Sequence, residues 1–431
     1  MDRLSLHGHR RNSLVFWPDS GMPSKHSVEL MQASGRLPFS LVVLLGLVTA
    51  IGPLSTDMYL PAFPILDHDL GGGPGSAQFT LAAWFAGLAV GQFSSGPLSD
   101  RFGRRAPLMG GLLIYILASI GCAVTANFHL FCVFRFLAAI GGSASAVVPR
   151  AVIRDIATGR DGARIMTQLT LVFGVMPILA PSLGGVVLAF GSWRYIFWIA
   201  VLYGLIGCAA IALMLPETLP QARRVRLPPI AILSRYLLVL REPHFLLNAL
   251  IASASTFVMF AYIGGAPVVF EHLLGFSPAQ FAIFFGINAA LFIASTQVSG
   301  WLIHRMELET LMQFGIAWCA CAGLLSVGLV ASHIVTAATP LAIGALIVFM
   351  TGSLGFIGGN ATVLALHHHG AHAGTASAMM GTLQFSIGSV SGLIMGFMPA
   401  DSIIPTFCVM ALGPVMMVAA NALRRRLSPG P

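Results

Sequence analysis

Apolar stretches long enough to cross a lipid bilayer recur along almost the whole chain, and only short polar breaks separate them. A membrane-spanning helix needs about 20 predominantly apolar residues. With 56% hydrophobic and 9% charged residues, the 431-residue chain cannot cover a water-soluble globule with charged side chains. The recurrence therefore predicts an all-α membrane protein.

We predict twelve transmembrane helices in two six-helix halves. The longest internal polar stretch, 216–243, is predicted to be a cytoplasmic linker between an N-terminal half at 38–215 and a C-terminal half at 244–423. Residues 1–37 lack the apolar core and cleavage site of a secretory signal, and we expect a disordered cytoplasmic extension there. Residues 424–431 are predicted to be a cytoplasmic tail. The predicted spans are 38–66, 77–98, 107–126, 129–152, 164–190, 193–215, 245–270, 279–303, 311–332, 336–364, 373–398 and 403–423.

The basic residues fall almost entirely on one side of the predicted membrane. On the other side only Arg194 remains, and cytoplasmic loops are the ones that retain positive charge. Both termini are therefore predicted to be cytoplasmic. The same topology accounts for the net charge of +8, so we expect the lipid bilayer and no nucleic acid as a partner.

The two halves repeat each other weakly. The segment Ser95–Arg101 after the second span parallels Ser299–Arg305 after the eighth, with four of seven positions identical. Internal repeats of this kind are typical of transporters with two pseudo-symmetric halves.

A glycine-rich, charged turn, Gly96–Arg105, joins the second and third spans. Gly96 allows close helix packing, Gly103 permits a tight turn, and Asp100 can hold an arginine or cap a helix. We interpret the turn as a gating motif, and the alternative is an ordinary positively charged cytoplasmic loop. The gating residues are Gly96, Asp100, Arg101, Gly103, Arg104 and Arg105.

Two charged residues lie well inside predicted spans. Asp57 is the only ionisable residue of the first span between 37 and 66, and Arg135 lies in the fourth. At 1.5 Å per residue both lie about 9–14 Å below the outer membrane boundary, so they could face a shared cavity. We predict that Asp57 binds and releases the coupling proton with Arg135 as its partner. The alternatives are an acid that snorkels to the helix end and a fixed ion pair that never titrates.

The fifth span places small and kinking residues on one face. Gly174, Pro177, Pro181 and Gly184 follow at steps of three, four and three, and Gly185 is adjacent. Such a face lets another helix approach closely, while proline bends the helix. We expect a moving helix pair here, and structural packing alone is the alternative.

Isolated polar side chains in apolar spans are our candidates for substrate contacts, although each could instead bond a neighbouring helix. The histidines at 367, 368, 369 and 372 are interpreted as solvated loop residues rather than a metal site, and the six cysteines as packing residues. The substrate candidates are Tyr59, Tyr262, Asn288, Gln297, Asn360 and Gln384.

Several of these motifs resemble those of a known family. Gly96–Arg105 is similar to the GxLaDRxGRR signature of the major facilitator superfamily, and the fifth span resembles its antiporter motif, with Ala180 in place of a glycine. The chain also resembles the Bcr/CflA drug-resistance subfamily over about residues 40–425, in TDMYLPA from Thr56, VVPRAVIRD from Val147, PETL from Pro216 and AGTASAMMGTLQF from Ala373.

The resemblance implies a major facilitator fold and a proton/drug antiporter of a bacterial inner membrane. It also implies functional roles for Asp57 and Arg135, and chloramphenicol-, bicyclomycin- or sulfonamide-like substrates. We expect a monomer that needs no cofactor beyond the proton. Proton-coupled import of a nutrient is the alternative within the same fold. An enzyme is disfavoured because the sequence has no HExxH, GxSxG or P-loop motif.

Overall fold

The computed structural model describes residues 38–157, 159–225, 228–367 and 373–427, and every regular element in these ranges is helical. We label the α-helices α1 to α16 in chain order. The predicted N-terminal extension and most of the histidine cluster lie outside the described residues. His367 is described and is exposed.

The first predicted span is a broken helix because prolines remove backbone donors from it. Pro53 cannot donate to the carbonyl of Thr49, where α1 ends, and Pro61 cannot donate to the carbonyl of Asp57, where α2 ends. A 3₁₀ turn at Leu60–Ala62 leads into α3. The N-terminal helices are α1 Phe39–Thr49, α2 Ile51–Asp57, α3 Phe63–Asp69, α4 Ala77–Phe102, α5 Arg105–Val124, α6 Phe128–Ile156, α7 Gly159–Phe190 and α8 Arg194–Met214.

The second half begins after a linker that itself carries a helix. The helix α9 exposes Ile230 and Leu238 while burying Tyr236, as expected of a helix lying along the membrane surface. A π-helical segment, Val268–Leu273, extends α10. These helices are α9 Pro229–Leu240, α10 Pro243–Pro267, α11 Pro278–Leu302, α12 Leu308–Ala331, α13 Pro340–Leu354, α14 Gly358–Leu366, α15 Ala373–Gly396 and α16 Ile404–Leu427.

Ten helical stretches within the described residues are long and apolar enough to span a bilayer, which confirms an all-α membrane protein. Two predicted spans are not among them. The 26-residue helix α4 carries polar residues such as Gln78 and Gln92, and α7 has a shorter apolar part at Val175–Phe190. The count of twelve spans stays a prediction.

The outer surface of the bundle is apolar. Leu341 is 89% exposed, Phe190 84% and Leu324 78%. Soluble monomers rarely expose so much contiguous apolar surface, whereas lipid tails solvate it well. The exposed faces of these helices therefore suit the hydrocarbon core of a membrane.

The two halves contact each other through α4 with α15 and through α7 with α11. We call the end of the bundle with the α4–α5 turn the basic end, and the opposite end, where α3 meets α4, the far end. At the far end Phe79 packs edge-on against Phe397, with ring centroids 5.0 Å apart, and α3 packs on Val268–Leu273. The halves are thus closed together at the far end. At the basic end α4, α6, α9 and α15 line a cavity of about 340 Å³.

Candidate functional site

Asp57 lies between the two halves, deep in the bundle. It is the last residue of α2 and only 4% exposed, and it makes no hydrogen bond or ion pair with any described residue. Its carboxylate is near enough to act electrostatically on Tyr262 of α10, in the other half. The helix break after Asp57 therefore leaves a buried acid facing the opposite half.

Arg135 does not pair with Asp57 in this structure. Its guanidinium lies over the Tyr59 and Trp84 rings, 4.1 and 4.3 Å from their centroids, and donates to the Ser55 carbonyl at 3.1 Å. At 100° per residue, Ser55 and Tyr59 share one face of the first span and Asp57 lies on the opposite face. The expected partnership is corrected, because Arg135 lies against one face of the first span and Asp57 lies on the other.

The surroundings of Arg135 belong to the N-terminal half alone. The Tyr59 hydroxyl hydrogen-bonds Thr80 at 3.2 Å, and Ser55 bonds the Tyr115 hydroxyl at 2.6 Å. A desolvated cation over aromatic rings is stabilised by about 2 kcal/mol. We call Tyr59, Trp84 and the Ser55 carbonyl the arginine cage, and it holds α2 against α4 and α6.

The glycines of the fifth span lie next to the break after Asp57. A Cβ on Gly184 would clash with the Met58 carbonyl oxygen, so only glycine allows α7 this close to the first span. A Cβ on Gly185 would lie 3.5 Å from the Pro278 oxygen of the other half, an ordinary contact. The other predicted motif residues in α7 are Gly174, whose packing is not described, Pro177 and Pro181.

Two predicted substrate residues, Tyr262 and Asn288, lie together in the C-terminal half of the bundle, near Asp57. The Tyr262 ring stacks on Phe285 with centroids 5.4 Å apart, and its hydroxyl has no hydrogen-bond partner among the described residues. Asn288 accepts from the Thr351 hydroxyl at 2.7 Å, while its amide nitrogen is likewise unpartnered in the described structure. The two side chains lie close enough for their polar groups to interact, so they form one polar cluster beside Asp57.

The remaining candidates are placed differently. Asn360 donates to the Ser299 hydroxyl at 3.1 Å and to the Phe356 carbonyl at 2.9 Å, so it joins α14 to α11. Gln297 is exposed and Gln384 is half-buried. The geometry of Asn360 fits the alternative that we stated for it, a bond to a neighbouring helix.

Arg104 is the centre of an ionic network at the basic end. It is 3% exposed and donates to Asp155 at 2.8 Å, to Asp100 at 2.6 Å and to the Ser99 hydroxyl at 2.9 Å. Burial alone lowers the pKa of Arg104, but the hydrogen bonds to Asp155 and Asp100 outweigh burial and raise it. The guanidinium therefore stays charged and ties the α4–α5 turn to the end of α6.

Glu217 holds the same turn from the segment that follows α8. Its carboxylate accepts from the main-chain nitrogens of Arg104 at 2.8 Å and Arg105 at 3.3 Å. Gly103 has φ +93°, and a side chain there would clash with Glu217. Asp155 and Glu217 belong to the motifs VVPRAVIRD and PETL, but the sequence alone did not indicate a role for either. Their partners are more than fifty residues away in the chain.

The side chains of Arg101 and Arg105 lie outside this ionic network, and Gly96 lies elsewhere on α4. Arg101 lies over the ring of its neighbour Phe102, 5.4 Å from the centroid, and is exposed. Arg105 donates to the Ala212 carbonyl. A Cβ on Gly96 would lie 3.9 Å from Ala378 of α15, so Gly96 faces the other half.

Two packed helical halves, a buried acid between them and an apolar exterior define the class of membrane-embedded transporters. The chain belongs to the Major Facilitator Superfamily, whose sequence profile matches residues 45–393.

Similar proteins fit that membership. The chain is 31% identical to an uncharacterized MFS-type transporter, YdgK of Bacillus subtilis, over 91% of this chain and 95% of that protein. It is 28% identical to a bicyclomycin resistance protein homolog of Haemophilus influenzae, over 89% and 95% of the two chains. The crystal structure of a D-xylose-proton symporter superposes with a TM-score of 0.70 at 16% identity, covering 88% of this chain and 97% of that one. At that identity the superposition shows a shared fold.

Proposed function

We propose that this protein exports small drug-like compounds across a bacterial inner membrane in exchange for protons, as a member of the Bcr/CflA drug-resistance subfamily. The observation that carries the proposal is Asp57, a buried carboxylate between the halves with no hydrogen bond or ion pair to any described residue. A charge in such a place is costly, and binding a proton removes the charge. The similarity to a protein named for bicyclomycin resistance supports drugs as the substrate class.

The transport cycle follows from the contacts between the halves. The basic end is the predicted cytoplasmic side, and the closed far end separates Asp57 from the opposite side. When water reaches Asp57 from the cytoplasm, its carboxylate releases the proton, and a drug binds beside it. Tyr262 and Asn288 offer this drug a buried polar cluster beside Asp57. Opening of the far end then releases the drug and lets Asp57 take up a new proton.

The N-terminal helices must stay packed together if the two halves are to move as rigid bodies. The ionic network of Arg104 and Glu217 ties α4, α5, α6 and the segment after α8 together at the basic end. In α7, Gly184 faces the first span of the same half, and Gly185 faces α11 of the other half. These contacts suit α7 to slide or rock against its neighbours without leaving a void.

Drug-induced proton movement in vesicles containing the protein tests the proposal. Asp57→Asn keeps the shape of the side chain but cannot bind the proton, so it should abolish the proton signal and the resistance of an exporter-deficient host. Asp401→Asn is the matched control because Asp401 is exposed at the far end, and it should behave like the wild type. Normal proton movement in Asp57→Asn would remove Asp57 from the coupling role.

The direction of transport needs a separate measurement. Labelled chloramphenicol, bicyclomycin and a sulfonamide are added to cells that express the protein and to cells that do not. Export lowers the intracellular level of at least one compound. A rise would instead support import, and no change for any compound across a broad antibiotic screen would count against drug export.

A further inference from the structure

A second buried carboxylate lies at the far end, at a position where the sequence predicts the seventh span to have ended. Glu271 belongs to the π-helical segment Val268–Leu273, which continues α10. Both of its carboxylate oxygens are buried, and neither has a hydrogen-bond partner among the described residues. A buried carboxylate without donors is unusual enough to require an explanation.

The internal repeat shows how this acid came to lack partners. The spacing that relates Ser95 to Ser299 also relates Asp67 to Glu271, so the two acids occupy equivalent positions in the two halves. Asp67 is fully engaged, because it accepts three hydrogen bonds at the start of α4. Its donors are the Gly75 nitrogen at 2.7 Å, the Ser76 hydroxyl at 2.8 Å and the Ala77 nitrogen at 2.6 Å.

The C-terminal half caps the corresponding helix in another way. Ser277 and Gln280 form a reciprocal capping box at the start of α11, with bonds of 3.3 and 2.9 Å. This cap uses the Ser277 nitrogen, the Phe276 nitrogen donates to the Phe270 carbonyl, and Pro278 has no N–H to donate. Glu271 is therefore released from the structural role that Asp67 performs.

No charged group compensates Glu271 from the elements packed around it. The segment Val268–Leu273 packs on α3, α10 and α11. Its neighbour His272 acts electrostatically on Asp67 instead. In α11 there is no charged residue, and no described group bonds the Glu271 oxygens. The titratable groups of these elements are Asp67, His68 and Asp69 in α3, His244 and Tyr262 in α10, and His272 beside Glu271.

The segment that carries Glu271 also takes part in the contact that closes the far end. This contact joins the outer parts of the first and seventh spans, α3 and Val268–Leu273, across the two halves. Separation of these segments would let water reach the carboxylate, and an ionised carboxylate is far more stable in water than in an apolar contact. Closure and the loss of charge are thus physically linked.

We propose that Glu271 is a second proton-binding site of the carrier, which takes up a proton when the far end closes and releases it when the far end opens. This inference rests on the proposed proton-coupled cycle. It favours one step of the cycle, because a proton that arrives from the far side stabilises the closed far end and so helps to return the carrier to the cytoplasmic side.

The test measures far-end closure directly, without any drug. Spin labels on Ala126→Cys and Ser332→Cys, two exposed far-end positions in opposite halves, report the distance across the closure in the full-length protein with its native cysteines replaced. For one proton bound only in the closed state, the ratio of closed to open molecules rises by up to about tenfold per pH unit as pH falls.

Glu271→Gln should remove this pH dependence and keep the far end closed at all pH values, whereas Glu271→Asp should retain it at a shifted midpoint. The control His272→Gln removes the adjacent titratable group and should leave the dependence unchanged. A wild-type pH response in folded Glu271→Gln overturns the inference, and so does loss of the response in His272→Gln alone.

Failure of the wider proposal is seen in a different experiment, the drug-induced proton movement in vesicles. If Asp57→Asn keeps drug-induced proton movement, the proposed coupling role is wrong, yet the drug-free distance still reports on Glu271. If Glu271→Gln does not fold, the shifted midpoint of Glu271→Asp decides, and an unshifted midpoint counts against the inference.

Discussion

Gly184 lies directly against the carbonyl oxygen of Met58, the residue that follows Asp57. The fifth span thereby supports the helix break that presents the proposed proton-binding acid. This contact joins two features that are more than a hundred residues apart in the sequence, and it makes the role of the α7 glycines testable.

Gly184→Ala should impair transport, because the added methyl meets backbone rather than a flexible side chain. Overpacking of this kind costs about 1–3 kcal/mol and displaces the neighbouring backbone. Gly185→Ala, one residue on, meets only an ordinary contact and should be tolerated. Drug transport and apparent Tm of the two variants provide the measurement, and equal activities would show that the close approach is not needed.

Arg135→Lys should lower the apparent Tm although it keeps the charge. An ammonium cannot stack in the arginine cage between Tyr59 and Trp84 as a planar guanidinium does, and we expect a loss of about 1–2 kcal/mol. Arg305→Lys removes a similar pairing with Trp301, but on an exposed surface, and should change little. A Tm for Arg135→Lys equal to that of the wild type would rule out a stabilising cage.

Arg104→Ala should be strongly destabilising, because it leaves Asp100 and Asp155 without their shared cation. Removal of one partner from a buried ionic network costs about 3–5 kcal/mol. Arg101→Ala removes an exposed arginine of the same motif and should have a small effect on stability. Thermal unfolding in detergent compares the two, and similar losses would mean that the motif acts through its charge alone.

Gly103→Ala should destabilise the α4–α5 turn for two reasons, its positive φ and its clash with Glu217. Gly71→Ala is a matched control, since Gly71 has φ +69° but open space around it. Backbone strain of this kind costs about 1–3 kcal/mol, and the clash adds to it only at Gly103. The difference in apparent Tm between the variants measures the contact with Glu217. No difference would mean that the Glu217 side chain moves aside at little energetic cost.

Asn360→Ala should reduce the stability of the protein. Export of all substrates should fall alike, and the set of exported drugs should not change. Its amide bonds the Ser299 hydroxyl and a main-chain carbonyl, and loss of such buried bonds costs about 1–3 kcal/mol. Gln297→Ala, at an exposed site, should leave the Tm unchanged. Drug susceptibility profiles serve as the readout, and an altered profile in Asn360→Ala would restore it as a substrate contact.

Span length and composition were enough to predict an all-α membrane protein, because the bilayer imposes the same requirement on every spanning helix. The motif at Gly96–Arg105 was enough to place the chain in its superfamily, which the profile over residues 45–393 confirms. Sequence also identified Asp57 and Arg135 as unusual, since charges inside spans are costly wherever they point.

Only the tertiary structure decided which residues these charged side chains contact. Helical spacing sets which face a residue occupies, but the neighbour on that face depends on how distant helices pack. Arg135 stacks in its cage instead of meeting Asp57, Asp155 and Glu217 close around Arg104 from remote segments, and Glu271 is buried without a donor because α11 caps itself. Each outcome depends on contacts between segments far apart in the chain, and local sequence does not encode them.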